Sequence, residues 1–439
     1  MTMHLRLIFL TAWILLGSLS ALMGETFQET WPQWRGAERN GTYRGEAWPV
    51  RLSAEQCSLE WTQALGSSYS MPVLDLQRIF VTESVDSDTE SVKAFDRSNG
   101  KLQWSTTWKA GMKVPFFARS NGSWMRSTPA LHDGKLFVMG MQETLVCLDA
   151  ISGDVVWRLN IPSSLDTPDP SFGGVSSPLL HDGHLYVQAG GGVVKVGAGS
   201  GHILWSSALS KDAMNSSPFS SPIIAQLGGV PQLVVLGRSG LNGLDMADGS
   251  SLWRRDVPAF RGMNILTPTI IGEGVFTATY GGKAHLFQPG QSSDGVWSVS
   301  ESWQQKFQGY MSSPVVVGDH AYIHGRSGRL VCLDTVSGAI AWTSGKSFTK
   351  YCSIVANGDR LLVLSTDGKL RLLAANPERC EILDELRVSD EETWAHLSMA
   401  DDQVVIRSLN HLSVFRWKSA VSSKTTASRV TPQTVRSEI

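Results

Sequence analysis

A three-residue spacing, Asp, then Gly four positions later, then Trp eight positions later, constrains the fold of this chain more than any other feature. Four copies are complete, and a fifth, with Gly201 and Trp205, has Gly197 in place of the Asp. Each copy follows a short apolar run, which predicts a strand, a tight turn and a second strand. In such a turn the carboxylate accepts amide hydrogen bonds, and the glycine adopts a positive φ. The complete copies are Asp96, Gly100 and Trp104; Asp149, Gly153 and Trp157; Asp245, Gly249 and Trp253; and Asp334, Gly338 and Trp342.

The copies recur about every 50 residues, a period typical of solenoids, propellers and arrays. A second landmark precedes them: Ser or Thr, then Pro, then alternating apolar residues. One double-length gap contains a degenerate copy near Trp303, and two late units have another residue at the Pro position. Together the landmarks define eight units, which start near residues 72, 129, 178, 222, 268, 314, 354 and 399.

Each unit contains enough turn signals for four strands. An Asp-Gly turn at 133–134 joins two apolar runs, which is a strong hairpin signal, and 182–183 repeats it. The Asp-to-Trp turn adds two more strands. Eight four-stranded units close most economically into a ring, because closure removes exposed sheet edges. The sequence therefore predicts an all-β, eight-bladed β-propeller of four-stranded antiparallel blades.

The two ends of the repeat region complete each other. The stretch around Leu59 and Trp61 reads as an outer strand without its inner three strands, whereas the last unit, 398–417, lacks the Asp-to-Trp turn. We therefore predict that the N-terminal strand pairs with the C-terminal segment and closes the ring.

The segment from Ala94 through Asp96 to Trp104 resembles the blade signature of the PQQ-repeat, or quinoprotein alcohol dehydrogenase-like, family, which is Ala-x-Asp-x-x-Thr-Gly-x-x-x-Trp. Ser98-Asn99 replaces the usual Thr here, and Ser152 replaces it in the next copy. The resemblance extends over residues 57–417 and implies a propeller. The competing WD40 propellers carry Gly-His and Trp-Asp repeats, which do not recur in this chain.

Flanking segments complete the predicted domain organisation. Residues 1–24 contain an apolar run followed by small residues, which indicates a signal peptide or an N-terminal anchor and hence export to the periplasm or cell envelope. A Trp/Gly-rich leader, 25–56, is expected to cover apolar core at one face of the ring. The propeller occupies 57–417. The polar tail, 418–439, is expected to be disordered.

Composition argues against several classes of function and of structure. The formal net charge of −2 gives no electrostatic footprint for nucleic acid. Five cysteines occur without a CxxC motif, and Cys147 and Cys332 share one repeat position, which predicts buried core residues and no disulfide framework. Membrane contact is expected only through the N-terminal segment, if it is not cleaved, and the chain is expected to be a monomer.

Loops that enter the innermost strands of a propeller gather around its axis, so the residues just before each unit start form a funnel. If a small ligand binds, we expect Arg126, Lys350 and His396 to contact its polar groups. The alternative is that the funnel residues only plug the axis or meet solvent. The candidate funnel residues are Tyr69, Arg126, Asn264, Tyr310, Lys350, Tyr351 and His396.

Dehydrogenases of the resembled family hold PQQ with a calcium ion, use an aspartate as base and often carry a vicinal disulfide. The candidate funnel contains no carboxylate, its only amide is Asn264, and the chain has neither Cys-Cys nor CxxCH. Calcium requires several oxygen ligands. We therefore expect no catalytic residue, no metal and no cofactor; PQQ with calcium belongs only to the alternative in which the chain is a dehydrogenase.

Three functional hypotheses remain open at this point. The first is an exported, non-catalytic module that binds another envelope protein, similar to the branch of the family that includes an outer-membrane barrel-assembly lipoprotein. The second is a PQQ-dependent alcohol or sugar dehydrogenase. The third is a carbohydrate-binding envelope protein, which the aromatic leader and Tyr69, Tyr310 and Tyr351 suggest because flat rings stack on sugars.

Overall fold

The structure is a computed structural model that describes residues 29–86, 88–208 and 218–418. The predicted signal segment and nearly all of the predicted disordered tail lie outside these residues. No helix among the described residues is long and apolar enough to span a bilayer.

Eight antiparallel sheets form the described chain, and each is one blade of the predicted propeller. Blade 1 consists of β3 (Val73–Asp75), β4 (Arg78–Ser84), β5 (Thr89–Asp96) and β6 (Leu102–Lys109), with β1 (Glu29–Trp31) added on its inner edge; blade 2 of β7 (Ala130–His132), β8 (Lys135–Met139), β9 (Thr144–Asp149) and β10 (Val155–Asn160); blade 3 of β11 (Leu179–His181), β12 (His184–Ala189), β13 (Gly192–Gly197) and β14 (Ile203–Ala208); and blade 4 of β15 (Ile223–Leu227), β16 (Val230–Leu236), β17 (Gly240–Asp245) and β18 (Ser251–Asp256).

The second half of the ring repeats this design. Blade 5 consists of β19 (Thr269–Ile271), β20 (Gly274–Ala278), β21 (Ala284–Gln291) and β22 (Trp297–Gln305); blade 6 of β23 (Val315–Val317), β24 (His320–His324), β25 (Leu330–Asp334) and β26 (Ile340–Thr343); blade 7 of β27 (Cys352–Asn357), β28 (Arg360–Ser365), β29 (Lys369–Ala374) and β30 (Glu381–Arg387); and blade 8 of β31 (Ser398–Ala400), β32 (Gln403–Arg407), β33 (His411–Trp417) and β2 (Cys57–Ala64). Within the described parts of the links between blades lie one short helix, α1 (Ile161–Leu165), and two 3₁₀ turns, Phe116–Asn121 and Phe260–Gly262.

Alternation of the strands places the connections on two faces. The first hairpin of each blade and the turn between its third and fourth strands, where the blade has one, share the bottom face. There the Ala150 N–H donates to the Gly134 carbonyl at 2.8 Å. The second hairpin and the link to the next blade share the top face, where the Gly174 N–H donates to the Met141 carbonyl at 2.8 Å. The predicted funnel belongs to the top face.

Closure of the ring confirms the prediction from the chain ends. β2 pairs antiparallel with β33, with Cys57 opposite Trp417 and Ala64 opposite His411. An N-terminal strand is therefore the outermost strand of the C-terminal blade, and the first and last elements of the propeller share one sheet.

The repeated Asp, Gly and Trp form the contact between neighbouring blades. Asp149 Oδ1 accepts hydrogen bonds from the amides of Ile151 and Ser152 at 3.0 and 3.1 Å, so the carboxylate holds the turn as the pattern predicts. Trp104 of the preceding blade lies on the Gly153 backbone, and its Nε1–H donates to the Ala150 carbonyl at 3.1 Å. The same indole-to-carbonyl bond is donated by Trp61, Trp157, Trp205, Trp303 and Trp342.

The later anchor glycines have the same conformation and the same cover. Gly249 and Gly338 have φ values of 75° and 73°, in the left-handed region that the predicted turn requires. The Trp205 ring of the preceding blade lies on Gly249, and the Trp303 ring lies on Gly338. The remaining two anchor glycines, Gly100 and Gly201, have φ values of 73° and 70°. Each anchor glycine is therefore a turn residue of one blade and a contact surface for the tryptophan of the blade before it.

Trp253 departs from this arrangement for an identifiable reason. The following blade has lost its Asp and Gly and carries a long hairpin instead. Trp253 Nε1–H therefore donates within its own blade, to Gln232 Oε1 at 2.6 Å, and Trp297 of the long hairpin packs against Gly228. The loss of the anchor in one blade changes the partner of the tryptophan in the blade before it.

Substitution of Gly153 by alanine is expected to lower the free energy of unfolding by about 2–4 kcal/mol. The residue has a φ of 78°, which disfavours any side chain by roughly 1–2 kcal/mol, and a Cβ there comes within 2.6 Å of the Trp104 ring. Gly134→Ala is the matched control, since its φ is 69° but no atom lies within 4 Å of the added Cβ. Urea unfolding of both variants separates the cost of the Trp104 contact from the cost of backbone strain. Equal losses of stability in the two variants would contradict a cost from the contact.

Hydroxyl groups of the Ser/Thr-Pro landmark join neighbouring blades close to the axis. Thr128 Oγ1 accepts from the Met71 amide at 3.1 Å, Ser177 Oγ from the Thr128 amide at 3.0 Å, and Ser221 Oγ from the Ser177 amide at 3.0 Å. In the sequence this landmark indicated only where each unit begins. Its hydroxyls are a second set of links between blades, at the inner edge, where the tryptophans do not reach.

The predicted core positions of the cysteines are also found. Cys147 and Cys332 are buried in different blades, and none of the five cysteines, all of which the structure describes, is in a disulfide.

Candidate functional site

The leader enters the ring from the bottom face and fills its axis. β1 pairs antiparallel with β3, with Trp31 opposite Leu74, so the leader climbs the inner edge of blade 1. It turns near the top face and descends to pair with blade 7, where the Tyr43 N–H donates to the Ala356 carbonyl at 2.8 Å. We call residues 29–43 the axial plug.

The axial plug contacts most of the blades. The Leu131 N–H of blade 2 donates to the Pro32 carbonyl at 2.8 Å. Trp34 Nε1–H donates to Thr267 Oγ1 of blade 5 at 2.9 Å, and its ring meets the edge of His396 of blade 8 at 5.4 Å. Trp31 is buried and Trp34 is half-buried. Both lie inside the channel, whereas the sequence predicted that the leader covers one face of the ring.

Two buried arginines fix the plug to the ring. Arg39 donates from Nη1 to the Pro178 carbonyl at 2.9 Å and from Nη2 to the Ser177 carbonyl at 3.2 Å, both in blade 3. Arg35 donates to the Pro314 carbonyl of blade 6. Arg35 has 1% of its surface exposed and Arg39 has 4%. Each arginine therefore bonds backbone carbonyls of the ring, in blade 3 or blade 6, and also accepting groups within the plug.

Burial without a carboxylate changes the electrostatics of both guanidinium groups. It lowers the pKa of Arg35 to about 10, and it lowers that of Arg39 to about 9, with the charge of Arg35 as a second cause. Neither group makes an ion pair within the part of the chain that the structure describes. Both stay protonated at neutral pH, so the axis beneath the top face is cationic.

The candidate funnel residues divide into buried and accessible groups. Asn264 is fully buried and donates from Nδ2 to the Gly237 carbonyl at 3.1 Å and the Val257 carbonyl at 3.0 Å. His396 is buried beneath Trp34, and burial lowers its pKa to about 3, so the ring is neutral. Tyr351 is also buried, whereas Lys350 is exposed and Tyr69, Arg126 and Tyr310 are half-buried.

This distribution alters the predicted ligand contacts. His396 faces the plug rather than an open funnel, so it does not join Arg126 and Lys350 in one exposed cluster. Arg126 donates to the Gly122 carbonyl at 2.6 Å and lies over the Tyr69 ring at 5.9 Å. Sequence register placed these residues at the top of the ring, but it did not show that the leader covers some of them.

Aromatic rings line the top face. Every link between two blades contributes at least one ring, and several of the rings touch: Phe117 and Phe172 at 6.2 Å, Phe172 and Phe219 at 5.6 Å, and Tyr69 and Trp394 at 5.7 Å between centroids. We call the set the aromatic face; it consists of Tyr69, Phe116, Phe117, Trp124, Phe172, Phe219, Phe260, Tyr310, Tyr351 and Trp394.

Three members of the aromatic face are strongly exposed. Phe116, Phe117 and Phe260 have 78%, 56% and 53% of their surface accessible. Large apolar side chains at such exposure, gathered on one face, are typical of binding surfaces rather than of inert surface. Of these rings, only Tyr69, Tyr310 and Tyr351 were predicted from the sequence. The signal for the others is that every link between blades contains at least one aromatic residue.

Arginines stack on several of these rings. Arg238 lies over Phe219 at 4.3 Å, and Arg261 lies over Phe260 at 5.2 Å, measured from the guanidinium carbon to the ring centroid. A guanidinium within about 6 Å of a ring face is attracted to the π-electrons, which holds the arginine on the surface. The top face therefore combines flat rings with fixed positive charge.

The residues at the axis do not fit a calcium-bound quinone. Calcium binds six to eight oxygen ligands. The axial plug instead places the guanidiniums of Arg35 and Arg39 at the centre, and no group of three or more His, Cys, Asp or Glu that could hold a metal occurs within residues 29–86, 88–208 and 218–418. We derive no catalytic step from this site.

Two buried glutamates clamp successive blades beneath the top face. Glu90 of blade 1 accepts from the Met141 amide of blade 2 at 2.7 Å and from Trp108 Nε1–H at 3.0 Å. Glu143 of blade 2 accepts from the Gly190 amide of blade 3 at 2.7 Å. Burial is the main cause that raises the pKa of each carboxyl to about 7.

Glu90→Gln is expected to flatten the pH dependence of stability. The folded protein holds the Glu90 proton up to about pH 7, whereas the unfolded chain releases it near its ordinary pKa of 4.5. The folded state binds more protons in this window, so the free energy of unfolding falls as pH rises through it, by the order of 1–3 kcal/mol. Denaturant unfolding between pH 5 and 8 measures the slope. The exposed Glu392→Gln serves as control, and identical slopes for wild type and Glu90→Gln would contradict the expectation.

Comparison with known proteins agrees with this architecture. Residues 88–344 match the PQQ_2 family, described as outer membrane protein assembly factor BamB. The BamB of Yersinia pestis is 22% identical over 263 residues, which are 57% of this chain and 61% of the Yersinia protein, so the match spans less than two thirds of that relative.

Two solved structures share the fold. BamB from Moraxella catarrhalis superposes with a TM-score of 0.59 at 14% identity, covering 82% of this chain and 98% of its own. The computationally designed Ika8 protein gives a TM-score of 0.55 at 10% identity, covering 85% of this chain and 99% of its own. At these identities the likeness establishes the propeller alone.

Proposed function

The chain belongs to the PQQ_2 family of PQQ-repeat propellers, and from this membership and its aromatic face we propose that it is an exported, non-catalytic scaffold that binds another protein of the cell envelope. Its relatives in this family are named outer membrane protein assembly factors. We propose a comparable assembly role for this chain, with the partner held on the top face.

The axial plug is the observation that carries this proposal. A catalytic propeller needs room at its axis for substrate and cofactor, and here residues 29–43 occupy that space with buried side chains such as Trp31 and Arg35. The remaining broad surface with binding character is the aromatic face, which lies on the outside of the plugged ring. A surface of this shape suits a protein partner better than a small substrate.

Site-specific crosslinking tests the scaffold directly. A photoreactive phenylalanine analogue at Phe260, on the top face, should give one discrete adduct with an envelope protein when irradiated in cells. The same analogue at Val336, which is 76% exposed in a bottom-face turn, is the matched control and should give none. Adducts of equal yield at both positions, or none at Phe260, would refute docking on the aromatic face.

Cofactor titration tests the enzymatic alternative. Purified protein mixed with PQQ and Ca²⁺ should show no saturable quinone absorbance and no dye reduction with alcohols or sugars. Saturable binding with turnover would replace the scaffold with a dehydrogenase.

The carbohydrate alternative rests on three predicted tyrosines. Tyr351 stacks on Trp394 at 6.2 Å between centroids and is buried, so only Tyr69 and Tyr310 offer accessible ring surface.

A further inference from the structure

Positive charge is concentrated on one half of the top face. On the top face, the connections of blades 4 to 6 and the link into blade 7 contain no aspartate or glutamate, although the whole chain has a formal net charge of −2. These connections are residues 237–239, 257–268, 279–283, 306–314, 325–329 and 344–351. Their exposed cations, which we call the basic crescent, are Arg261, Lys283, Lys306, Arg326, Lys346 and Lys350.

The basic crescent is not neutralised within the described part of the molecule. None of its six side chains takes part in an ion pair there. Lys283 and Arg326 instead donate to amide oxygens, to Gln304 Oε1 at 2.7 Å and Gln308 Oε1 at 2.9 Å. Two carboxylates border the region, and each has its own arginine: Asp256 with Arg254 at 3.1 Å and Asp367 with Arg371 at 3.9 Å.

The other half of the top face carries charges of both signs. The connections at 85–88, 161–178 and 388–397 carry Asp86, Asp88, Asp166, Asp169, Asp390, Glu391 and Glu392. In the same half, the link at 110–129 carries Lys113, Arg119 and Arg126 and no carboxylate. The face is therefore divided into a half that carries cations alone and a half of mixed charge. A ligand that covered the whole face would meet both signs, whereas one that follows only the basic half meets cations alone.

Aromatic rings and a fixed backbone accompany the basic charge. Tyr280 lies between Arg326, 4.2 Å above its ring, and Tyr310, 4.9 Å away between centroids. Arg261 and Thr349 have left-handed φ values of 53° and 63°. Non-glycine residues adopt this conformation at a cost, and it is most unusual for a β-branched residue such as threonine. Such conformations cluster where surrounding structure holds side chains for binding.

We propose that the basic crescent is the docking surface for an acidic, extended segment of a partner protein, one that carries several carboxylates interleaved with apolar or aromatic side chains. The carboxylates pair with the exposed arginines and lysines, and the apolar side chains lie on Phe260, Tyr280 and Tyr310. This inference rests on the proposed scaffold function and adds the chemistry of the partner.

The division of the face decides between a peptide and a lipid surface. A bilayer is flat and anionic over a wide area, so it would also press against Asp86, Asp390 and Glu392, which it repels. A single extended chain is narrow enough to follow the crescent from Arg261 to Lys350 and avoid these groups. Charge complementarity of this kind also steers partners and raises association rates.

A charge-reversal variant and a defined probe test the proposal. The variant combines Arg261→Glu, Arg326→Glu and Lys350→Glu, and the matched control combines Arg51→Glu, Lys101→Glu and Arg379→Glu, which are exposed positions away from the top face. The probe is a fluorescent peptide of about 14 residues in which Glu alternates with Phe, compared with the same peptide carrying Lys in place of Glu.

Fluorescence anisotropy at low and physiological salt is the measurement. The Glu/Phe peptide should bind the wild type and the control with Kd values within twofold of each other, and binding should weaken at least tenfold in the crescent variant and at higher salt. The Lys/Phe peptide should not bind comparably. Equal binding of both peptides, or an acidic peptide unaffected by the crescent variant, would overturn the proposal.

Three further outcomes distinguish failure of the inference from failure of the function on which it rests. Sedimentation with vesicles containing phosphatidylglycerol, lost in the crescent variant and stronger than peptide binding, would replace the acidic segment with a membrane. A crosslink from the Phe260 position that persists unchanged in the crescent variant would leave the scaffold standing and reject the acidic segment. Absence of that crosslink in the wild-type background would reject the scaffold itself.

Discussion

Deletion of residues 57–64 is expected to unfold the whole propeller and not blade 8 alone. These residues form the outer strand of the last blade, and Trp61 of the same strand donates from Nε1 to the Arg97 carbonyl of blade 1 at 3.1 Å. Without the strand, β33 has an open edge and Gly100 loses the indole that covers it. We expect a loss of more than about 5 kcal/mol, comparable with the total stability of many domains.

Circular dichroism and tryptophan fluorescence during urea unfolding measure this effect. A double variant, Ser58→Ala with Thr62→Val, keeps the strand and changes only exposed side chains, so it should stay within about 1 kcal/mol of wild type. A deletion variant that kept a cooperative transition near the wild-type midpoint would show that the ring does not depend on its closing strand.

The fold could be predicted from the sequence because its chemistry is local and repeated. In the blades that keep the anchor, a carboxylate such as Asp149 lies within three residues of the amides it binds, and a glycine such as Gly153 takes a positive φ in the turn. These requirements leave fixed spacings in the chain. The closing strand was predictable for the same reason, since one terminal unit lacked the strand that the other end supplied.

The axial plug could not be predicted in the same way. Its contacts are made to backbone carbonyls far along the chain: Arg39 reaches Pro178 and Arg35 reaches Pro314. Backbone carbonyls occur in every residue and leave no pattern in a sequence. The aromatic, glycine-rich composition of the leader indicated burial, but it contained no periodicity that would show whether the segment lies over a face or inside the channel.

The sequence indicated where the candidate funnel residues lie along the chain, but not which of them are accessible to solvent. Counting from each Ser/Thr-Pro landmark selected Tyr69, Tyr310 and Lys350, which lie in top-face links between blades. Whether a link residue faces solvent depends on what packs against it, and the count cannot show this. Trp34 of the leader lies on His396. The Asn264 amide bonds one carbonyl of its own link and two of the adjacent hairpin.

Loss of the plug contacts is expected to produce the second large effect. Trp31→Ala removes a side chain that is 2% exposed at the centre of the ring, which should cost about 3–5 kcal/mol of the free energy of unfolding. Replacement of both Arg35 and Arg39 by Met keeps much of the apolar volume but leaves the carbonyls of Pro178 and Pro314 without these donors, at about 1–3 kcal/mol for each buried group.

Urea unfolding of these two variants tests whether the leader is part of the core or a cover laid on a finished ring. Phe116→Ala is the control, because that ring is 78% exposed and its loss should change the free energy of unfolding by less than about 0.5 kcal/mol. If the plug is core, Trp31→Ala and the double Met variant shift the single transition to lower urea without splitting it, since the plug contacts most of the blades. A separate early transition that leaves the ring intact would show instead that the leader binds a propeller already stable without it, and the axis would then be open in a populated state.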